Sequence, residues 1–111
     1  MNLIDIIGPV MVGPSSSHTA GAVRIGLISR RLLGEPVADA KIYMHGSFAA
    51  TGKGHGTDRA LVAGLLVMQV DDERIPVSFK LATGMKMSFS FRNVELMDAH
   101  PNSVRLELTG V

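Results

Sequence analysis

The sequence predicts one α+β domain over residues 1–111, a two-layer sandwich with a mixed or antiparallel sheet under two main helices. Three observations predict it. The 111 residues suffice for one modest core and not for two. Hydrophobic residues make up 46% of the chain and aromatic ones only 5%, so that core must be aliphatic and methionine-rich. The hydrophobic period also changes along the chain, from strand to helix, strand, helix and then a strand meander.

Leu3 to Val12 is apolar apart from Asp5 and carries Gly8-Pro9 in its middle. Pro9 has no N–H, so this stretch reads as a short strand or turn rather than a helix. Asp5 is expected to cap a local turn. Gly13-Pro14-Ser15-Ser16-Ser17-His18-Thr19-Ala20-Gly21 follows. Gly21, Ile25, Ile28 and Leu32 recur at helical spacing and are expected to line the buried face of a helix from about Thr19 to Leu33. Ser16 or Ser17 would be its N-cap. Gly34 and Pro36 end it. Arg24 and Arg31 fall on its outer face.

Asp39 to His45 alternates, with Ala40, Ile42 and Met44 on one side, and reads as a half-buried strand. The loop His45-Gly46-Ser47-Phe48-Ala49-Ala50-Thr51-Gly52-Lys53-Gly54-His55-Gly56-Thr57-Asp58 comes next. Gly52, Gly54 and Gly56 let its backbone approach a ligand closely. Thr57 or Asp58 would cap a second helix, Arg59 to Val70. That helix is apolar nearly all round, which predicts one face on the sheet and a second on a partner. Asp71 to Arg74 is a charged break, and Ile75 to Gly84 is irregular or a short helix. Met85, Met87, Phe89 and Phe91 alternate with polar residues as a strand, and Val94 to Met97 extends it past a bulge. After the turn Asp98 to Ser103, the alternation of Val104, Leu106 and Leu108 gives a last strand.

Composition excludes several classes. Net charge is +1, with no basic stripe interleaved with aromatics, so nucleic acid is not an expected partner. The chain has no cysteine, hence no disulfide and no thiolate ligand for a metal or iron–sulfur cluster. The longest apolar run, Ala60 to Val70, is too short to span a bilayer, and the start lacks a signal-peptide pattern. A cytoplasmic protein without a membrane partner and without a metal site of its own is the expectation.

Chemistry concentrates in two places. The hydroxyls of Ser15, Ser16, Ser17 and Thr19 sit where a helix begins, and free N–H groups and the positive helix end there attract carboxylates and phosphates. His18 adds an acid/base group to that anion site. The glycine loop repeats the pattern with Lys53, Gly54, His55 and Thr57. It is not a nucleotide P-loop, because Gly-x-x-x-x-Gly-Lys-Ser/Thr is absent. His45 is read as an ordinary strand residue. His100, in a His-Pro-Asn turn, is read as structural or functional with equal weight.

The stretches Asp5 to Gly21, Gly46 to Asp58 and His100-Pro101-Asn102-Ser103 resemble the β chain of the bacterial iron–sulfur L-serine dehydratases. The fold is also similar to the allosteric substrate-binding domain of some D-3-phosphoglycerate dehydrogenases. The resemblance implies conversion of L-serine to pyruvate and ammonia, with a [4Fe–4S] cluster held by a separate α chain and not by this chain. It implies His18, His55 and Lys53 as catalytic residues. Ser15, Ser16, Ser17, Thr19, Gly54, Thr57 and Asn102 would bind substrate. An oligomer containing the α chain is expected, and the family's C-terminal ACT domain is absent from these 111 residues. The alternative is a regulatory module that binds serine or another small anion without taking part in chemistry.

Overall fold

The computed structural model describes residues 3–9, 15–45, 56–94 and 103–111, with backbone alone at 3, 6–9, 15–19 and 103. Four strands form one sheet: β1 (Leu3–Pro9), β2 (Val37–Met44), β3 (Ser88–Asn93) and β4 (Ser103–Gly110). Their order is β1-β4-β2-β3. β4 runs antiparallel to both β1 and β2, while β3 runs parallel to β2. The sheet is therefore mixed. The expected meander does not form, because β4 inserts between β1 and β2 instead of pairing with β3. Pro9 pairs within β1, which lies at the edge of the described sheet, where a missing N–H is tolerated.

Among the described residues there are three helices, α1 (Ser15–Leu33), α2 (Thr57–Leu65) and α3 (Ser78–Gly84), with a 3-10 turn at Ile75–Val77 before α3. The inward row of β2 is Ala40, Ile42 and Met44, and that of β4 is Val104, Leu106 and Leu108; all six are buried. They meet Ala22, Val23, Leu27 and Leu33 of α1 and Leu61, Val62 and Leu65 of α2 in one core. Each such aliphatic side chain contributes about 1.5–3 kcal/mol by leaving water.

The buried face of α1 differs from the sequence expectation. Ile28 and Leu32 are 55% and 63% exposed, and Ile25 is half-buried, while Ala22, Val23, Gly26 and Leu27 face inward. Close approach of α2 is the reason. A β-carbon on Gly26 would lie 2.5 Å from the Leu61 carbonyl oxygen and 2.8 Å from the Gly64 Cα. One on Gly64 would strike the Val23 carbonyl oxygen and come within 2.8 Å of the Gly26 Cα. Only small residues fit at this crossing, so the larger aliphatics turn outward.

Helix α2 needs no partner to cover its second side. Residues 57, 58 and 60–65 are all buried within this domain, against the sheet, α1 and the α3 region. It stops at Leu65 rather than Val70, because Val67 takes a left-handed conformation, φ 67°, that a helix cannot continue. The ambiguous stretch before β3 is the short helix α3. Met85 and Met87 precede β3 instead of belonging to it, since Lys86 also turns left-handed, φ 63°.

The opposite sheet face is polar. Arg105 donates to Asp5 through Nε at 3.0 Å and Nη2 at 2.6 Å, and its Nη2 lies 3.2 Å from Glu107 Oε1. The Tyr43 hydroxyl donates to Glu107 Oε2 at 3.4 Å, and the Arg105 guanidinium lies 5.8 Å from the Tyr43 ring centre. Asp5 thus ties β1 to β4 across the sheet and does not cap a turn, as the sequence had suggested. No helix among the described residues is long and apolar enough to cross a membrane.

Candidate active site

Three strands finish at the end of the sheet where β4 starts. β1 finishes at Pro9, paired with Ser103 at the start of β4; β2 finishes at Met44, paired with Val104 and with Asn93 at the end of β3. Val94 donates its N–H to the Met44 carbonyl at 2.9 Å, and His45 Nδ1 lies 3.3 Å from the Val94 carbonyl oxygen, so β2 and β3 stay paired as they exit.

Both long helices begin toward the same end. Arg30 near the end of α1 and Leu65 at the end of α2 line a cavity with Val37, Met87 and Val111, which mark the opposite end. The N-termini of α1 and α2 therefore point back to the end where β1, β2 and β3 finish. Each helix turns the N–H groups of its first turn and its positive dipole end toward that end. That is a concentrated anion-attracting arrangement.

Helix α1 begins at Ser15, four positions before the expected Thr19, so Ser15, Ser16, Ser17, His18 and Thr19 form its opening turns. Neither Ser16 nor Ser17 is the N-cap, because both already lie inside the helix. Of the glycine-loop residues, Gly56 is left-handed, φ 72° and ψ 12°, and immediately precedes α2, which is the conformational freedom the glycine was read to supply. Lys53, Gly54 and His55 lie outside the described residues, as do His100 and Asn102. Asn102 immediately precedes Ser103, which pairs with Pro9.

Thr57 is the described candidate, and its environment is unusual. It occupies the first turn of α2 and is completely buried, yet its Oγ1 has no hydrogen-bond partner. A buried hydroxyl left unsatisfied costs about 1–3 kcal/mol, and natural structures contain few of them. Its neighbours are satisfied. Asp58 Oδ1 accepts from the Arg59 N–H at 2.8 Å and faces the Arg59 guanidinium at 3.9 Å. The Ser78 hydroxyl donates to the Arg59 carbonyl at 2.9 Å, fixing α3 to the first turn of α2. Arg59 also lies 5.0 Å from the Phe79 ring centre. Sequence reasoning passed over Arg59. The only signal was its place directly after the predicted cap, where it brings a cation into the first turn of α2.

Among the described residues no cluster of His, Asp or Glu is grouped as a metal site requires, and the sequence has no cysteine. The 111 residues therefore offer no thiolate ligand for an iron–sulfur cluster.

The chain is similar to known proteins. The family model described as serine dehydratase beta chain matches residues 3–87. The chain is 44% identical over 119 aligned residues to the probable L-serine dehydratase, beta chain, of Bacillus subtilis, covering 99% of this chain and 54% of that protein. It is 48% identical over 103 residues to the L-serine dehydratase, beta chain, of Peptoniphilus asaccharolyticus, covering 92% of this chain and 46% of that protein. L-serine dehydratase 2 of Escherichia coli is 43% identical over 85 residues, 68% of this chain and 18% of that protein. The chain thus spans about half the length of the beta chains it matches. With residues 3–87, most of its length, matched by the family, this chain belongs to the serine dehydratase beta chain family.

Proposed function

We propose that this domain completes, together with a partner α chain, an active site that converts L-serine to pyruvate and ammonia. The observation that carries the reading is the pair of helix N-termini aimed at one end of the sheet, with the unpartnered Thr57 hydroxyl at one of them. The family membership supports it.

In this reading the serine carboxylate is held by the N–H groups opening α1 and α2. The hydroxyls of Ser15, Ser16, Ser17, Thr19 and Thr57 are the side-chain donors available to the polar groups of the substrate, and Lys53 supplies charge. Gly54 lets the loop backbone approach, and the Asn102 side-chain amide orients the substrate. Elimination removes the α proton and expels the β hydroxyl as water; the resulting enamine becomes an imine, which hydrolyses to pyruvate and ammonia. His18 and His55 are the groups that carry protons, since imidazole changes charge near neutral pH. Any iron–sulfur cluster belongs to the partner, because the thiolates it needs are missing here. Assembly into an oligomer and a cytoplasmic location are parts of the same proposal.

The test is release of pyruvate and ammonia from L-serine under anaerobic conditions, by this chain, by its partner and by the two mixed. Activity is expected only in the mixture. His18→Ala and His55→Ala should each lower kcat by about 100-fold or more with the unfolding midpoint unchanged. Near-normal kcat in both variants, with only an effector response lost, would make the domain a regulatory module instead.

A further inference from the structure

At the end of the sheet away from the candidate active site, a cavity of about 380 Å³ opens between the ends of α1 and α2 and the turn before β3. Its volume falls in the range of small-ligand pockets, about 300–1,000 Å³. Leu65, Val67, Met85 and Met87 supply much of its apolar wall, and the charged residues among its lining are Arg30 and Lys86, both cations. No carboxylate side chain is among its lining residues.

The backbone around it is shaped in the same way twice. After α2, the N–H of Val67 bonds to the Gly64 carbonyl at 3.0 Å and that of Met68 to the Ala63 carbonyl at 3.0 Å. After α3, the N–H of Lys86 bonds to the Thr83 carbonyl at 3.1 Å and that of Met87 to the Ala82 carbonyl at 3.0 Å. Both are Schellman closures, whose left-handed position is ordinarily glycine. Here it is Val67, φ 67°, and Lys86, φ 63°. A β-branched residue at positive φ is a true outlier. The helix α1 shows the ordinary solution, with Gly34 left-handed after its last turn. Both helix ends that carry a strained side chain instead of glycine line the cavity, beside Arg30 from the last turns of α1.

We propose that this cavity binds a small aliphatic carboxylate, with the hydrocarbon against Val67, Leu65 and the methionines and the carboxylate between Arg30 and Lys86. Retaining Val67 and Lys86 where glycine fits better follows from this use: one side chain supplies apolar wall and the other supplies charge. The site is separate from the candidate active site and does not depend on its chemistry.

Calorimetric titration of the full natural β chain, in its complex where it forms one, tests this with sodium decanoate below its micelle threshold and decanol as the neutral control. Decanoate should saturate at one per chain and bind at least fivefold tighter than decanol. Lys86→Gly and Val67→Gly should each raise the unfolding midpoint, by relieving the left-handed strain, while weakening decanoate at least fivefold. Arg30→Gln should weaken it similarly. Higher stability with unchanged affinity in both glycine variants would overturn the proposal. So would equal binding of decanol, or an absence of saturable binding because another segment or a second copy fills the cavity.

Discussion

Where β1, β2 and β3 finish, α1 and α2 begin and turn their N–H groups outward; where β2 and β3 begin, α2 and α3 end and their last carbonyls are closed by Schellman turns. The first end carries glycine next to the helix, at Gly56, and leaves a buried hydroxyl, Thr57, without a partner. The second places Val67 and Lys86 where glycine belongs and satisfies its backbone internally. The contrast follows from helix polarity. An N-terminus has donors to offer to an anion, whereas a C-terminus has acceptors, so at that end anion binding has to come from side chains such as Arg30 and Lys86.

The contrast depends on α1 and α2 running side by side, and the largest structural effect should come from disturbing that. Gly64→Ala would drive a methyl into the Val23 carbonyl oxygen, backbone against backbone, and should cost about 3 kcal/mol in urea unfolding. A loss under 1 kcal/mol would mean that the helices separate easily and that their N-termini are not held in register.

Thr57→Val sharpens the comparison at the active-site end. If the hydroxyl waits for substrate, its removal should leave the fold unharmed or raise stability by about 1 kcal/mol, because no bond inside the protein is lost. The KM for L-serine should rise roughly tenfold, since a hydrogen bond to a charged group contributes about 1.5–3 kcal/mol. A destabilised variant with unchanged KM would assign the hydroxyl to folding alone.

The smallest effect lies in the turn after α2. Arg74 beside Asp72, through its side chain first and its backbone N–H second, holds the Asp72 carboxyl at about 2 rather than 3.8. The folded value is below the unfolded one, so this contribution is complete above pH about 3.8 and lost as pH falls toward about 2. Asp5 shifts the same way, held down by its hydrogen bond from Arg105. Asp72→Asn should lower the unfolding midpoint slightly at neutral pH, where the contribution is complete but small for an exposed pair, and leave it unchanged near pH 2, so that the variant's midpoint falls less across the acid window. A loss near pH 2 as large as that at pH 7 would contradict the assignment.

Much of the fold was legible in the chain. Period-2 alternation marked the inward rows of β2 and β4, because strand geometry alone puts every second side chain on one face. Gly34 and Gly56 marked helix boundaries through local backbone freedom. The Ser-Ser-Ser-His-Thr run announced a helix start, even though the helix begins earlier than its apolar pattern. These are local properties, fixed by neighbours in sequence. Strand order, the buried face of α1 and the self-contained burial of α2 came only with the tertiary structure. The insertion of β4 between β1 and β2 joins residues about a hundred positions apart, as the Asp5–Arg105 pair does, and no local pattern encodes that. The choice of Gly26 over Ile28 as the packing face was made by the Gly64 backbone across the crossing, a contact whose closeness outweighs the greater hydrophobicity of the residues it turns outward.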